Sequence, residues 1–131
     1  VAGNAVAVAR FSDGSFGWGI REPGHGLAFA NAGRPFDAPA AAILSATGDY
    51  APLLLLQRAG ALPRVLSSYL SDIQPAAPSA GPVKGIYNHG WLIGDEGAIS
   101  ANAQAEIDGL LEIAPQSSPT ATPSSPPTSE E

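Results

Sequence analysis

Four consecutive leucines, Leu53 to Leu56, follow Pro52 with no polar residue among them. Successive side chains of a strand point to opposite faces of its sheet, so an unbroken apolar run predicts a strand covered on both faces. Such strands belong to parallel sheets, in which crossover helices lie on either side. The flanking sequence agrees. From residue 26 to 113, short apolar runs alternate with longer amphipathic ones, the pattern of repeated β-α units over a mostly parallel sheet.

Three units can be marked. The first strand is predicted over Leu27 to Asn31, followed by an Ala-rich helix through Ala46 with Asp37 as N-cap and Pro39 in the first turn, where a missing N–H is harmless. The second is Pro52 to Leu56, and its helix, Pro63 to Ile73, carries Val65, Leu66, Tyr69, Leu70 and Ile73 on one stripe. The third strand lies within Gly85 to Gly94, with Gly90 as a break in the pattern. A closing helix is expected after Ser100 as N-cap, with Ala103, Ile107, Leu110 and Leu111 facing the core and an end before Pro115. Ahead of these units, residues 4–11 form a short apolar helix candidate, and residues 12–20 give a turn leading into an extra strand. Gln74 to Pro82, rich in Pro, is a loop. The expected architecture is therefore a small three-layer, Rossmann-like α/β domain over residues 1–114.

From Pro115 onward the sequence becomes QSSPTATPSSPPTSEE, with nothing to bury. Residues 115–131 read as a solvated Pro/Ser/Thr-rich tail or linker, biased toward polyproline II. The chain opens on Val1 without a basic signal-peptide region, which we read as a processed product or a piece of a longer chain, any export signal lying outside it.

Composition narrows the function. The net charge of −6 and the pI near 4.6, with six basic residues scattered singly, argue against nucleic acid and against an anionic membrane surface. No run of eighteen apolar residues occurs, so no membrane span is expected. Cysteine is absent, which removes disulfides and thiolate sites. Gly94 to Gly97, GDEG, sits between a strand and a helix where an α/β sheet binds ligands, but it lacks a Walker lysine and G-x-G-x-x-G, and Asp95 and Glu96 would repel phosphate. Asp95 with Glu96, or Asp13 with Glu22, are poor paired carboxylates. His25 and His89 lack metal-ligand spacing, and Ser45 and Ser100 lack a nucleophile elbow. No cofactor is expected, and no enzyme.

What remains is polar residues at strand ends: Asn31 and Arg34 after the first, Gln57 and Arg58 after the second, and Asn88, His89 and Asp95 around the third. Such an edge suits a polyhydroxylated or anionic polymer, with Trp18 or Trp91 either packed in the core or acting as a stacking platform. Arg34 stands out. It precedes the helix N-terminus at Asp37, where positive charge is unfavourable to the helix dipole, and is expected to serve something outside the fold.

The runs ANAGRPFDAPAAAILSATGDYAPLLLL, ALPRVLSSYL and WLIGDEGAIS, in that order and followed by an amphipathic helix, resemble the cell-wall-binding repeat of type 2. Phe36, Asp37, Ala38, Ala40 and Ala41 match its first motif, Pro52 to Leu56 its second, and Leu62 with Pro63 the opening of its helix. Gly94, Ala98, Ile99 and Ser100 match the last. Gln57 replaces a usual Thr, Asp95 replaces the second Gly of a Gly-Gly turn, and a single repeat is visible where the family most often has three. The resemblance implies a Rossmann-like fold and a non-catalytic module that anchors a Gram-positive surface protein to an anionic cell-wall polymer. The expected polymer contacts are Asn31, Arg34, Asp37, Gln57, Arg58, Asn88, His89 and Asp95. The alternative expectation is an accessory or degenerate domain of a wall-acting hydrolase, or a homo-oligomer formed through apolar helix faces.

Overall fold

A computed structural model describes residues 1–46, 51–76 and 87–115. Seven elements follow in the order α1 (Ala2–Arg10), β1 (Gly26–Asn31), α2 (Asp37–Ala46), β2 (Leu53–Leu56), α3 (Arg64–Asp72), β3 (His89–Ile93) and α4 (Ala101–Leu111). The three strands form an all-parallel sheet in the order β2-β1-β3. Helices surround it, and the fold is a small α/β Rossmann-like one, as the β-α periodicity predicts. The expected tail from 116 on and most of the Gln74 to Pro82 loop lie outside the described residues.

The register fixes which residues share a face. Ala28 pairs with Leu53 and Trp91, and Phe29 with Leu54 and Leu92. Leu27, Phe29, Leu54 and Leu56 enter one buried cluster with Leu66, Tyr69, Leu70 and Ile73 of the α3 region and Ile107 and Leu111 of α4. Helix α2 packs on the sheet through small side chains, Ala41 being its buried residue. Under it lie Ala28 and Ala30, both fully buried. Alanine meeting alanine lets the helix backbone approach the sheet closely, at the expense of apolar area.

The leucine run is therefore not covered equally. Leu54 and Leu56 are buried, whereas Leu53 and Leu55 are only partly so. Strand β2 is an edge strand, and the short side chains of α2 do not blanket its far face. Helix α1 packs against β2 and α3, burying Ala2, Val6 and Ala9.

Gly90 does not interrupt β3. A Cβ there would lie 2.6 Å from Leu111 Cδ1 and 3.3 Å from the Phe29 ring. The missing side chain is what allows α4 to seat Leu111 against Phe29 across the strand. In α3, Leu66, Tyr69 and Leu70 are buried as the stripe predicts, while Val65 is exposed. Ser100 caps α4, its hydroxyl accepting the Ala103 N–H at 3.3 Å. Residues 12–20 form bends, not an extra strand. Asp13 holds that segment together: its Oδ1 accepts the backbone N–H groups of Ser15 and Phe16 at 2.9 and 2.8 Å. These bonds, Ser15 first, hold the Asp13 carboxyl below its ordinary pKa.

Candidate functional site

Strand β1 is central, and the chain leaves it in one direction to β2 and reappears on its other side as β3. The crevice between the C-terminal ends of β1 and β3 is thus the topological switch point, where an open parallel sheet binds ligands. Two loops meet there. The β1–α2 loop carries Asn31, Arg34 and Asp37, and the β3–α4 loop carries Asp95.

Each side chain has a structural reason for its place. Asn31, the last residue of β1, is buried; its Nδ2 donates to the Ala98 carbonyl at 2.8 Å, and its Oδ1 accepts the Gly33 N–H at 2.8 Å. Arg34 follows on a turn closed by its own N–H to the Asn31 carbonyl at 3.0 Å. Its guanidinium reaches both carboxylate oxygens of Asp95, at 2.9 and 3.0 Å, and lies 3.6 Å from Asp37 Oδ2. Asp95 Oδ1 also accepts the Ala98 N–H at 3.1 Å, fixing the turn into α4. Gly94 permits that turn. It sits at φ +123°, and a Cβ would come within 2.7 Å of Ala98 Cβ and 2.8 Å of Asp37 Oδ2.

The loop after β2 joins the same edge: the Ala59 carbonyl accepts the Ser100 N–H at 2.8 Å, and Arg58 bridges to Ala61 in a tight antiparallel turn. Gln57 and Arg58 are exposed beside it, and Arg58 has no ion pair among the described residues. Loops from all three strands are thus knitted into one surface, with Arg34, Asp37, Gln57, Arg58 and Asp95 at it; Asn31, expected as a contact, lies buried beneath it, its amide bonded to Ala98 and Gly33.

Asn88 and His89 are not on that surface. His89 opens β3 and pairs with Gly26, which opens β1, so both histidine and asparagine sit at the N-terminal edge. Five residues of strand separate the two edges, roughly 16 Å. Asn88 is moreover buried: its Oδ1 accepts the Gly24 and His25 N–H groups at 2.9 and 3.2 Å, and its Nδ2 donates to the Ile73 carbonyl at 2.9 Å. It ties three chain segments together from inside the fold, at the edge opposite these loops. The sequence misplaced it because the third strand starts later than the apolar pattern suggested.

Arg34 also differs from its expectation. Its charge is answered within the fold, by Asp95 and Asp37, so the acidic partners explain a cation near a helix start. The guanidinium still keeps 43% of its side-chain surface open. With Asp37, Asp95 and Glu96 against Arg34 and Arg58, the surface is close to neutral in sign and rich in hydrogen-bonding groups.

A groove lies away from these loops, between the end of α1, the bends that follow it and the end of α2. Sequence reasoning singled out Trp18 there but missed Phe11 and Phe16, although the Gly-spaced aromatics of SFGWG are a usable signal. With Ala7, Val8, Ser45 and Ala46 they line a groove of about 780 Å³. Trp91 is partly exposed on β3. Among the described residues, no three His, Asp or Glu side chains gather as metal ligands do, and no helix is long and apolar enough to cross a membrane. Comparison with protein-family models, with curated proteins and with solved structures finds no match for this chain.

Proposed function

We propose that the chain is a non-catalytic binding module that attaches a surface protein to a cell-wall polysaccharide through the C-terminal edge of its sheet. The observation that carries this reading is the convergence of Arg34, Asp37 and Asp95 at the β1/β3 switch point over the buried Asn31, with Gln57 and Arg58 on the adjoining loop. The order of motifs shared with the type 2 cell-wall-binding repeat supports the choice of polymer. An anionic polymer is held through Arg58 and the open side of Arg34, and its hydroxyl groups through Gln57 and the carboxylate rims. Such a surface binds weakly per repeat unit and gains strength along a polymer.

The test is co-sedimentation of the purified chain with native walls and with walls stripped of their anionic polymer. Retention on native walls alone, weakening with salt, is the expected result. Equal retention on both preparations, or none on either, overturns it.

Self-association is the second reading, favoured by one observation. Phe36 and Ile43, at and within α2, are 85% and 75% exposed, a large apolar outlay on one helix. A concentration-dependent rise in mass on sedimentation, abolished by Ile43→Lys, would establish it.

A further inference from the structure

Strand β3 ends the described sheet on one side, and its outer edge is open: His89, Gly90, Trp91 and Leu92 are all exposed, Trp91 and Leu92 at 38% each. The ladder shows which backbone groups that edge offers. The His89 N–H donates to the His25 carbonyl at 2.9 Å, so His89, Trp91 and Ile93 turn their backbone groups inward to β1. The N–H and C=O groups of Gly90 and Leu92 therefore point outward, and among the described residues none of them meets a backbone partner.

Edge strands of monomeric proteins carry devices that stop another strand from pairing, such as a lysine, a proline or a bulge. HGWLI has no Lys and no Pro, and it pairs with β1 residue for residue from Gly26 to Ala30, so it has no bulge either.

The strand that fits this edge is β3 itself. Two β3 strands set antiparallel about a twofold axis at Trp91 place Gly90 of each copy opposite Leu92 of the other. These are the residues with outward groups, so they form the hydrogen-bonded pairs and exchange N–H···O=C bonds in both directions. The side chains match as well. Gly90 and Leu92 share the face of β3 on which Phe29 lies, and there each Leu92 finds a glycine opposite it in place of a second bulky residue. Leu111, seated over Gly90 and 8% exposed, gives that leucine an apolar wall. On the other face the two Trp91 rings meet at the non-hydrogen-bonded position, where side chains of an antiparallel pair lie closest. A register shifted two residues either way sets Leu92 against itself or against the buried Asn88. Charge agrees: copies of a chain of net charge −6 repel, but β3 holds no Asp or Glu.

We propose that β3 is a self-association edge, through which two copies join antiparallel, Gly90 to Leu92, into one continuous sheet. This contact uses neither the C-terminal edge loops nor the α2 face with Phe36 and Ile43. The twofold axis sends the C-terminal loops of the two copies to opposite ends of the joined sheet.

Sedimentation velocity of the full chain over a concentration series reads the association. A dimer is expected, unmoved by Ile43→Lys. Leu92→Pro removes an outward N–H from each copy and spares the ladder to β1, so it should raise the dimer dissociation constant at least about tenfold. Because the chain has no native cysteine, Trp91→Cys gives an independent reading. Oxidation should link two copies through the facing residue-91 positions, whereas Val65→Cys, exposed on α3, stays unlinked. A chain that stays monomeric, a dimer that Leu92→Pro leaves intact, or equal linking at both cysteines overturns the proposal. So does a dimer lost with Ile43→Lys, which would move the contact to α2.

Discussion

Arg34 and Asp95, 61 positions apart in sequence, close the switch-point crevice by two hydrogen bonds of 2.9 and 3.0 Å between one guanidinium nitrogen and one carboxylate. The pair is exposed enough that it contributes little to stability, under about 1 kcal/mol. Its effect is to set how much uncompensated positive charge the edge presents.

Asp95→Asn therefore separates a binding role from a structural one. Asparagine keeps an acceptor for the Ala98 N–H but no longer neutralises Arg34, so retention on anionic walls is expected to rise, while Arg34→Ala lowers it. Both are read by co-sedimentation at two salt concentrations, with denaturation midpoints confirming unchanged folding. Retention that falls with Asp95→Asn, or that Arg34→Ala leaves unchanged, would sink the binding role of this edge.

Asn88 is expected to matter for folding and not for binding. Asn88→Ala leaves the buried Ile73 carbonyl without its partner, at a cost of about 1–3 kcal/mol, and frees the part-buried Gly24 and His25 N–H groups, which water can reach, at a smaller one. Urea denaturation checks this, and wall retention of the remaining folded fraction should equal that of the parent chain.

Glycines 90 and 94 predict different penalties. Gly94→Ala forces a side chain into φ +123° and against Asp37 Oδ2 and Ala98, a backbone strain of about 1–3 kcal/mol before any clash is relieved. Gly90→Ala meets the flexible end of Leu111 and the Phe29 ring, an overpacking cost of about 1–3 kcal/mol that repacking can reduce. A Gly90→Ala, Leu111→Ala double variant should recover part of the packing strain in thermal unfolding, whereas no such partner relieves Gly94→Ala.

Alkali should unfold the chain through Tyr69. Its hydroxyl is buried and donates to the Ile20 carbonyl at 3.1 Å, and burial pushes its pKa from 10.0 up to about 12, with Arg10 beside it opposing. The folded state thus holds its proton where the unfolded state has lost it. That contribution is complete below about pH 10 and disappears as pH rises toward about 12. Tyr69→Phe should flatten the loss of stability over this range in denaturation curves.

Much of this architecture was legible because it is periodic. Leu66, Tyr69 and Leu70 repeat at helical spacing, and the run at Leu53 has no polar interruption, so helix and strand follow from local pattern. Ser100 could be read as a cap from residue type alone. Asn88 could not be placed, since a one-element shift in where β3 begins moves it from one edge of the sheet to the other. Nor could the partner of Arg34 be named: Asp95 is remote in sequence, and only the parallel register of β1 with β3 puts their loops together.

The amino-acid order by itself determined a parallel α/β layer and its helices, because apolar periodicity and turn chemistry act over a few residues. The tertiary structure alone decided which polar groups stay open at the sheet edge and which are consumed by the fold. Hydrogen bonds such as Asn31 to Ala98 join residues 67 positions apart, and no local signal encodes which distant carbonyl a buried amide will find.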